Sequence, residues 1–414
     1  MASRSRSSRS SAAPTPGRIR YLKVENFRAL QSIELKDLTP LTVLVGPNGS
    51  GKSTVLDVFS FLSEFFEFGL RHAWDRRGGA KELHTRGRDG PVTIELVYRE
   101  NLKLPAITYR LSVEEGPKGP EVATESLCWA RGSRGRPFRF LDFSHGNGSV
   151  IGGEMPEDEA KRTHAELRSA DRSAVSLFGK LADHPRIAAL SEFITDWYAS
   201  RLSVENMRGQ PEAGPQERLS ETGDNIANVV EYFEKKDPKR LEEVLSRLRL
   251  RIPLLDRVLV KPTSYGRLSL QIKETPFPQP ESAWTASYGT LKMLAYLLVL
   301  DAPIPPQLIV IDEPENSLHP GLLQGVAEEC RAATGRSQLL VATHSPFFVN
   351  GLRPEEVRVL YRTQEGFTRM VRVSEVPGIR EFLDQGALLG HLWTENHFGV
   401  GDPLVNAGAP VIRR

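Results

Sequence analysis

Gly46, Gly51, Lys52 and Ser53 lie in the stretch GPNGSGKST, residues 46–54, and fill the pattern G-x-x-x-x-G-K-[ST]. Phosphate oxygens must approach backbone N–H groups closely, and a Cβ would stand in the way, so glycine is the residue for such a loop. Gly46, Pro47, Asn48, Gly49, Ser50 and Gly51 would then form a cradle. Lys52 would reach the β- and γ-phosphates of ATP, Ser53 would place its hydroxyl on Mg²⁺, and Thr54 could add a hydroxyl near the α-phosphate.

A second set of chemical groups lies far along the chain. The apolar run from Leu308 to Ile311 ends in Asp312 and Glu313, and the strand QLLVATH ends in His344. Asp312 is expected in the Mg²⁺ shell, Glu313 as the base that orients and deprotonates the attacking water, and His344 as a γ-phosphate sensor. A lone acidic pair or a lone histidine would be weak evidence; paired with the glycine loop they become a nucleotide-hydrolysing set. TASYGTLKMLAYL, residues 285–297, begins a helix with Ser287, Tyr288, Gly289 and Thr290. Such a start suits either an ordinary cap or an anion.

These groups need elements to hold them. RIRYLKVENF alternates apolar and polar residues as a half-buried strand does, SIELKDL follows as a second strand, and LTVLVG reads as a fully buried third that leads into the glycine loop. KSTVLDVFSFLSEFFEFGL continues with helical periodicity. VTIELVYRE and ITYRLSV read as antiparallel strands, and NIANVVEYFEKK and KRLEEVLSRLRL as helices of an insertion expected to project from the core. Strand pattern returns at DRVLVKP and RLSLQIKE, and the apolar run Met293–Leu300 is too short to span a bilayer.

The fold class expected is α/β, with a mixed or parallel sheet, an antiparallel β lobe and a mainly helical insertion. Residues 1–17 are expected as a disordered basic tail, 18–130 and 256–373 as the two parts of one head, 131–255 as an irregular and helical insertion, and 374–414 as a C-terminal extension.

Composition narrows the class. Cys128 and Cys330 are the only cysteines, which supports neither a disulfide framework nor a zinc site and fits the reducing cytoplasm. The formal charge is +2, yet five arginines and no acid fall in the first twenty residues, so the rest of the chain is slightly acidic. Net charge therefore gives no support to a dominant nucleic-acid-binding role. Two local segments, 71–90 and 131–140, are basic enough to meet DNA phosphates, with Trp74 or Phe138 available to stack on a strand.

The order of glycine loop, Ser-x-Gly helix start, acidic strand end and terminal histidine resembles ABC-type ATPases. YLKVENFRAL, SYGTLKMLAYLL and IDEPENSLHP are similar to the RecF, SMC and OLD branch, including its compact RecF-like members described as AAA-type ATP-binding proteins. The resemblance spans Arg18 to Val373. It implies that Ser287 and Gly289 cap the γ-phosphate held by a second copy, hence a homodimer in the ATP state, acting on DNA in repair or defence against phage with a separate effector protein. A transporter ATPase subunit, or a regulatory ATPase that recruits a protein partner without DNA, are the alternatives. Tyr288 replaces the glycine usual in transporters, and no glutamine is assigned to the Q-loop.

Overall fold

Period-two patterning near the N-terminus builds the first sheet. The strand Arg18–Phe27 pairs antiparallel with Leu30–Leu35, Leu22 standing opposite Leu35, and on its other side with Val92–Arg99. Ile107–Gly116 and Gly119–Trp129 extend the same sheet as a long hairpin. The computed structural model describes residues 17–100, 104–129, 137–153 and 162–401.

Residues 131–255, expected as irregular and helical, contain more strand than the patterning suggested. Phe138–Ser144, Asn147–Val150 and Thr163–Glu166 continue the antiparallel sheet to eight strands. Phe138, Phe140, Leu141, Phe143 and Val150 enter the same core as the preceding strands, which fixes the register of this short hairpin. The strands are too short, and too interrupted by Gly and charged residues, to stand out in the sequence.

The second sheet has six strands, in the order Tyr198–Ser200, Leu308–Asp312, Gln338–Thr343, Leu41–Val45, Val357–Arg362 and Thr368–Arg372. The first five are mutually parallel and only the last is antiparallel. Parallel strands buried on both faces read as unbroken apolar runs. Here Leu44, Leu308, Val310, Leu340 and Ala342 face one core, while Val43, Ile309, Ile311, Leu339 and Val341 face the other.

The helix Lys52–Phe68 fills the first core, between the two sheets, through Val55, Val58, Phe59, Leu62 and Phe65. The helix Tyr288–Leu300 lies in the second core, where every residue from Thr290 to Leu300 is buried. Against it packs the helix Pro238–Arg249, on which the helix Ile226–Lys236 lies in turn; their apolar stripes carry Val230, Phe233, Leu241, Val244 and Leu248. The helical segment expected to project is thus built into the second core, and Tyr198–Ser200 within it forms an edge strand of the central sheet. A three-stranded sheet, Leu255–Pro262, Leu268–Glu274 and Glu281–Ser282, leads into the Tyr288–Leu300 helix. Among the described residues no helix is long and apolar enough to cross a membrane.

Candidate nucleotide-binding site

The carboxyl ends of parallel strands are where an α/β sheet gathers its ligand groups, and the register brings four of them level. Thr343 pairs with Val45, Asp312 with Ala342, and Ser200 with Ile311. The loop 46–51, the acids 312–313 and His344 therefore leave the sheet along one edge.

Backbone shape makes the loop. Gly46 has φ +150° and a Cβ there would fall 2.2 Å from the Leu360 carbonyl oxygen; Gly51 has φ +100° and its Cβ would fall 2.4 Å from Thr368 Oγ1. The Thr368 hydroxyl also donates to the Ser50 carbonyl at 2.9 Å, so the Val357–Arg372 hairpin holds the loop from behind. Lys52, the first residue of its helix, folds back to donate to the carbonyls of Gly46 at 2.9 Å and Pro47 at 3.1 Å. Burial lowers the pKa of its ammonium, against the attraction of Glu313, Asp312 and Glu315.

Asp312 ends its strand, and desolvation raises its carboxyl pKa while a hydrogen bond from the Ser53 hydroxyl opposes the shift. Ser53 and Asp312 thus come together in one recess, and their oxygens are hard donors. The Ser50 hydroxyl is buried with no partner among the described residues. An orphaned buried hydroxyl in a loop turned by the positive-φ glycines Gly46, Gly49 and Gly51 fits a phosphate-bearing nucleotide. Asn48, Gly49 and Thr54 lie in the same loop and first helical turn.

Glu313 turns sharply out of the strand at φ +49°, a conformation that costs a non-glycine residue. Its N–H donates to the Ala342 carbonyl at 2.8 Å and its Oε2 accepts from Asn316 at 2.9 Å. The His344 Nδ1 stands 3.7 Å from Glu313 Oε1, so the expected base and sensor are neighbours. Sequence reasoning passed over Glu315, which lies closer to His344 than Glu313 does, with Oε1 3.0 Å from Nδ1. It also passed over Ser200 and Arg201, which line one recess with Ser53, Asp57 and Asp312. Arg201 ion-pairs with Glu64 of the Lys52–Phe68 helix at 3.3 Å. A strand of three residues gives almost no periodic signal, and its place beside Leu308–Asp312 is a fact of topology alone.

Ser287 is the N-cap of its helix: Oγ accepts from the Thr290 N–H at 3.1 Å. That leaves the N–H groups of Tyr288 and Gly289 without an intrahelical acceptor. Tyr288 is partly exposed, with the Arg208 guanidinium 4.3 Å from its ring centroid.

Two stacking candidates need correction. Trp74 is 1% exposed and Phe138 is 3% exposed, so neither ring is available to a base. Each fills the core under the eight-stranded sheet, where aromatic area is worth more than at the surface. Arg77 is also buried, tied to Asp57 at 2.7 Å and Glu64 at 2.6 Å. Residues 131–136 of the other basic segment lie outside the described residues.

A family model described as "AAA domain, putative AbiEii toxin, Type IV TA system" matches residues 41–350, three quarters of the chain. The chain belongs to this AAA domain family. It is an ABC-type P-loop ATPase of the RecF, SMC and OLD branch. An OLD nuclease of Thermus scotoductus is 55% identical over 38 residues, which is 9% of this ATPase and 7% of that relative, so the chain matches only a small part of the relative's length. Among solved structures, an SMC head bound to the C-winged helix domain of ScpA aligns with a TM-score of 0.53 at 14% identity, covering 85% of the ATPase and 96% of that chain. An SMC head with an extended coiled coil, bound to the C-terminal domain of ScpA derived from Pyrococcus furiosus, aligns with a TM-score of 0.52 at 12% identity, covering 89% and 100%. At these identities the likeness concerns the fold, an SMC-head-like α/β architecture.

Proposed function

We propose that this ATPase binds ATP with Mg²⁺ through residues 46–54 and hydrolyses it in an ATP-gated homodimer, controlling a separate effector protein at DNA in repair or defence against phage. The observation that carries the reading is the arrival of loop 46–51, Asp312, Glu313 and His344 at the carboxyl ends of neighbouring parallel strands. Backbone N–H groups of the loop hold the phosphates, and Lys52 leaves its two carbonyls to meet them. Ser53 and Asp312 would hold Mg²⁺, which supplies charge neutralisation on the phosphate oxygens. Glu313 takes the proton of the attacking water, and His344 holds the γ-phosphate.

Ser287 and Gly289 of one copy would close over the γ-phosphate of the other, the free N–H groups at the helix start being suited to an anion. DNA contact falls to exposed cations such as Lys81, Arg86 and Arg88, since Trp74 and Phe138 are buried.

The test combines phosphate release and mass. The wild-type chain should release phosphate from ATP with Mg²⁺ and stop when EDTA is added. Glu313→Gln should bind ATP without turnover and scatter light as a dimer. A Glu313→Gln chain that stays at monomer mass in saturating ATP, beside an active wild type, would refute the dimer.

A further inference from the structure

We infer that Glu315 is a positioning residue that fixes the imidazole of His344 for the proposed hydrolysis, an inference that rests on the ATPase reading above. Both oxygens of its carboxylate are engaged. Oε1 accepts from the backbone N–H of His344 at 2.7 Å and stands 3.0 Å from the ring Nδ1; Oε2 accepts from the Thr343 hydroxyl at 2.9 Å. The Glu315 side chain is 10% exposed, against 44% for His344. One sheltered carboxylate thus grips the end of the Gln338–Thr343 strand at three points.

The grip determines which ring nitrogen is free. An ionised carboxylate offers only acceptors, so a ring nitrogen 3.0 Å from it carries a proton. With Nδ1 turned to the Glu315 carboxylate, Nε2 is the nitrogen left for a phosphate oxygen. The partner of one imidazole nitrogen sets the tautomer and the ring angle at the other. Glu315 also keeps the ring from Glu313, whose Oε1 is 3.7 Å from the same Nδ1. Without Glu315 the nearest anion for Nδ1 would be the proposed base itself, and base and sensor would neutralise each other.

Glu315→Gln tests this, because glutamine keeps the size and an acceptor for the His344 N–H but loses the charge. In ¹⁵N-histidine spectra, with the His344 signals found by comparison with His344→Gln, the wild type should show a protonated Nδ1 and the variant a mixture of tautomers. Turnover should fall about ten- to a hundredfold with ATP affinity within about threefold, the pattern of a lost orienting partner and not of a lost binding group. Identical His344 signals in the two proteins would overturn the inference, and so would changed signals with unchanged turnover. A wild-type chain without any turnover would instead sink the ATPase reading, while the ring signals would still decide whether Glu315 fixes His344.

Discussion

The Lys52 ammonium rests 2.9 Å from the carbonyl of Gly46, six residues back in the same loop, and is 5% exposed. The cation meant for phosphates is held by the backbone of its own loop. Burial already disfavours the charge there, so exchanging two carbonyls for phosphate oxygens gains a charge-assisted contact at little cost in desolvation. Lys52→Ala should therefore remove most ATP binding, by roughly a hundredfold or more on the scale of lost charged contacts. Unchanged ATP affinity by calorimetry would refute the phosphate assignment.

Thr368 and Gly51 pack so closely that no side chain fits between them, since a Cβ on Gly51 would fall 2.4 Å from the Thr368 hydroxyl. Gly51→Val should move the loop and cost about 2 kcal/mol in stability, from strain at φ +100° and displacement of the hairpin. Combining it with Thr368→Ser should recover less than half the loss, because the backbone strain remains. A thermal melt of Gly51→Val equal to wild type would show that the hairpin does not brace the loop.

The elements that carry chemistry were legible because each is a strong local pattern. The loop 46–54 is a spacing of types, and the strands ending at Val45, Asp312 and Thr343 are unbroken apolar runs that only double burial explains. What escaped the sequence depends on contacts made after folding. Glu315 looks like one more acid in DEPEN until the chain brings Thr343 beside it. Trp74 and Phe138 looked available because they sit among arginines, yet the eight-stranded sheet buries both. Ser200 ends, and Arg201 follows, a three-residue strand whose neighbour lies over a hundred positions away.

Glu125 is fully buried, and its carboxylate accepts from the Tyr109 hydroxyl at 2.9 Å, the Ser173 hydroxyl at 2.7 Å and the Ala174 N–H at 2.6 Å. Desolvation raises its pKa above the ordinary 4.5, against those hydrogen bonds. The folded chain then holds this proton more tightly than the unfolded one, so its contribution to stability is full below the ordinary value and is lost as pH rises through the folded value. Glu125→Ala strands three donors and should cost about 3 kcal/mol in mildly acid buffer. Urea melts should show the gap to wild type narrowing as pH rises; a gap that widens would reverse the assigned sign.

Ser287 and Lys52 can be tested against each other, because the proposed dimer places them on opposite sides of each nucleotide. In such a pair, one site uses Lys52 of the first copy and Ser287 of the second, and the other site uses the reverse. Lys52→Ala alone and Ser287→Arg alone should each lack turnover, the first by losing ATP and the second by blocking the helix start with a bulky cation. Mixed chains form heterodimers in which both defects fall on the same composite site and the other site is wholly wild type. Turnover should then return to at most half the wild-type rate per heterodimer, rising with the fraction of mixed pairs. Isolated Ser287→Arg with near wild-type turnover would mean that Ser287 does no more than its visible work, capping the Tyr288–Leu300 helix through the Thr290 N–H.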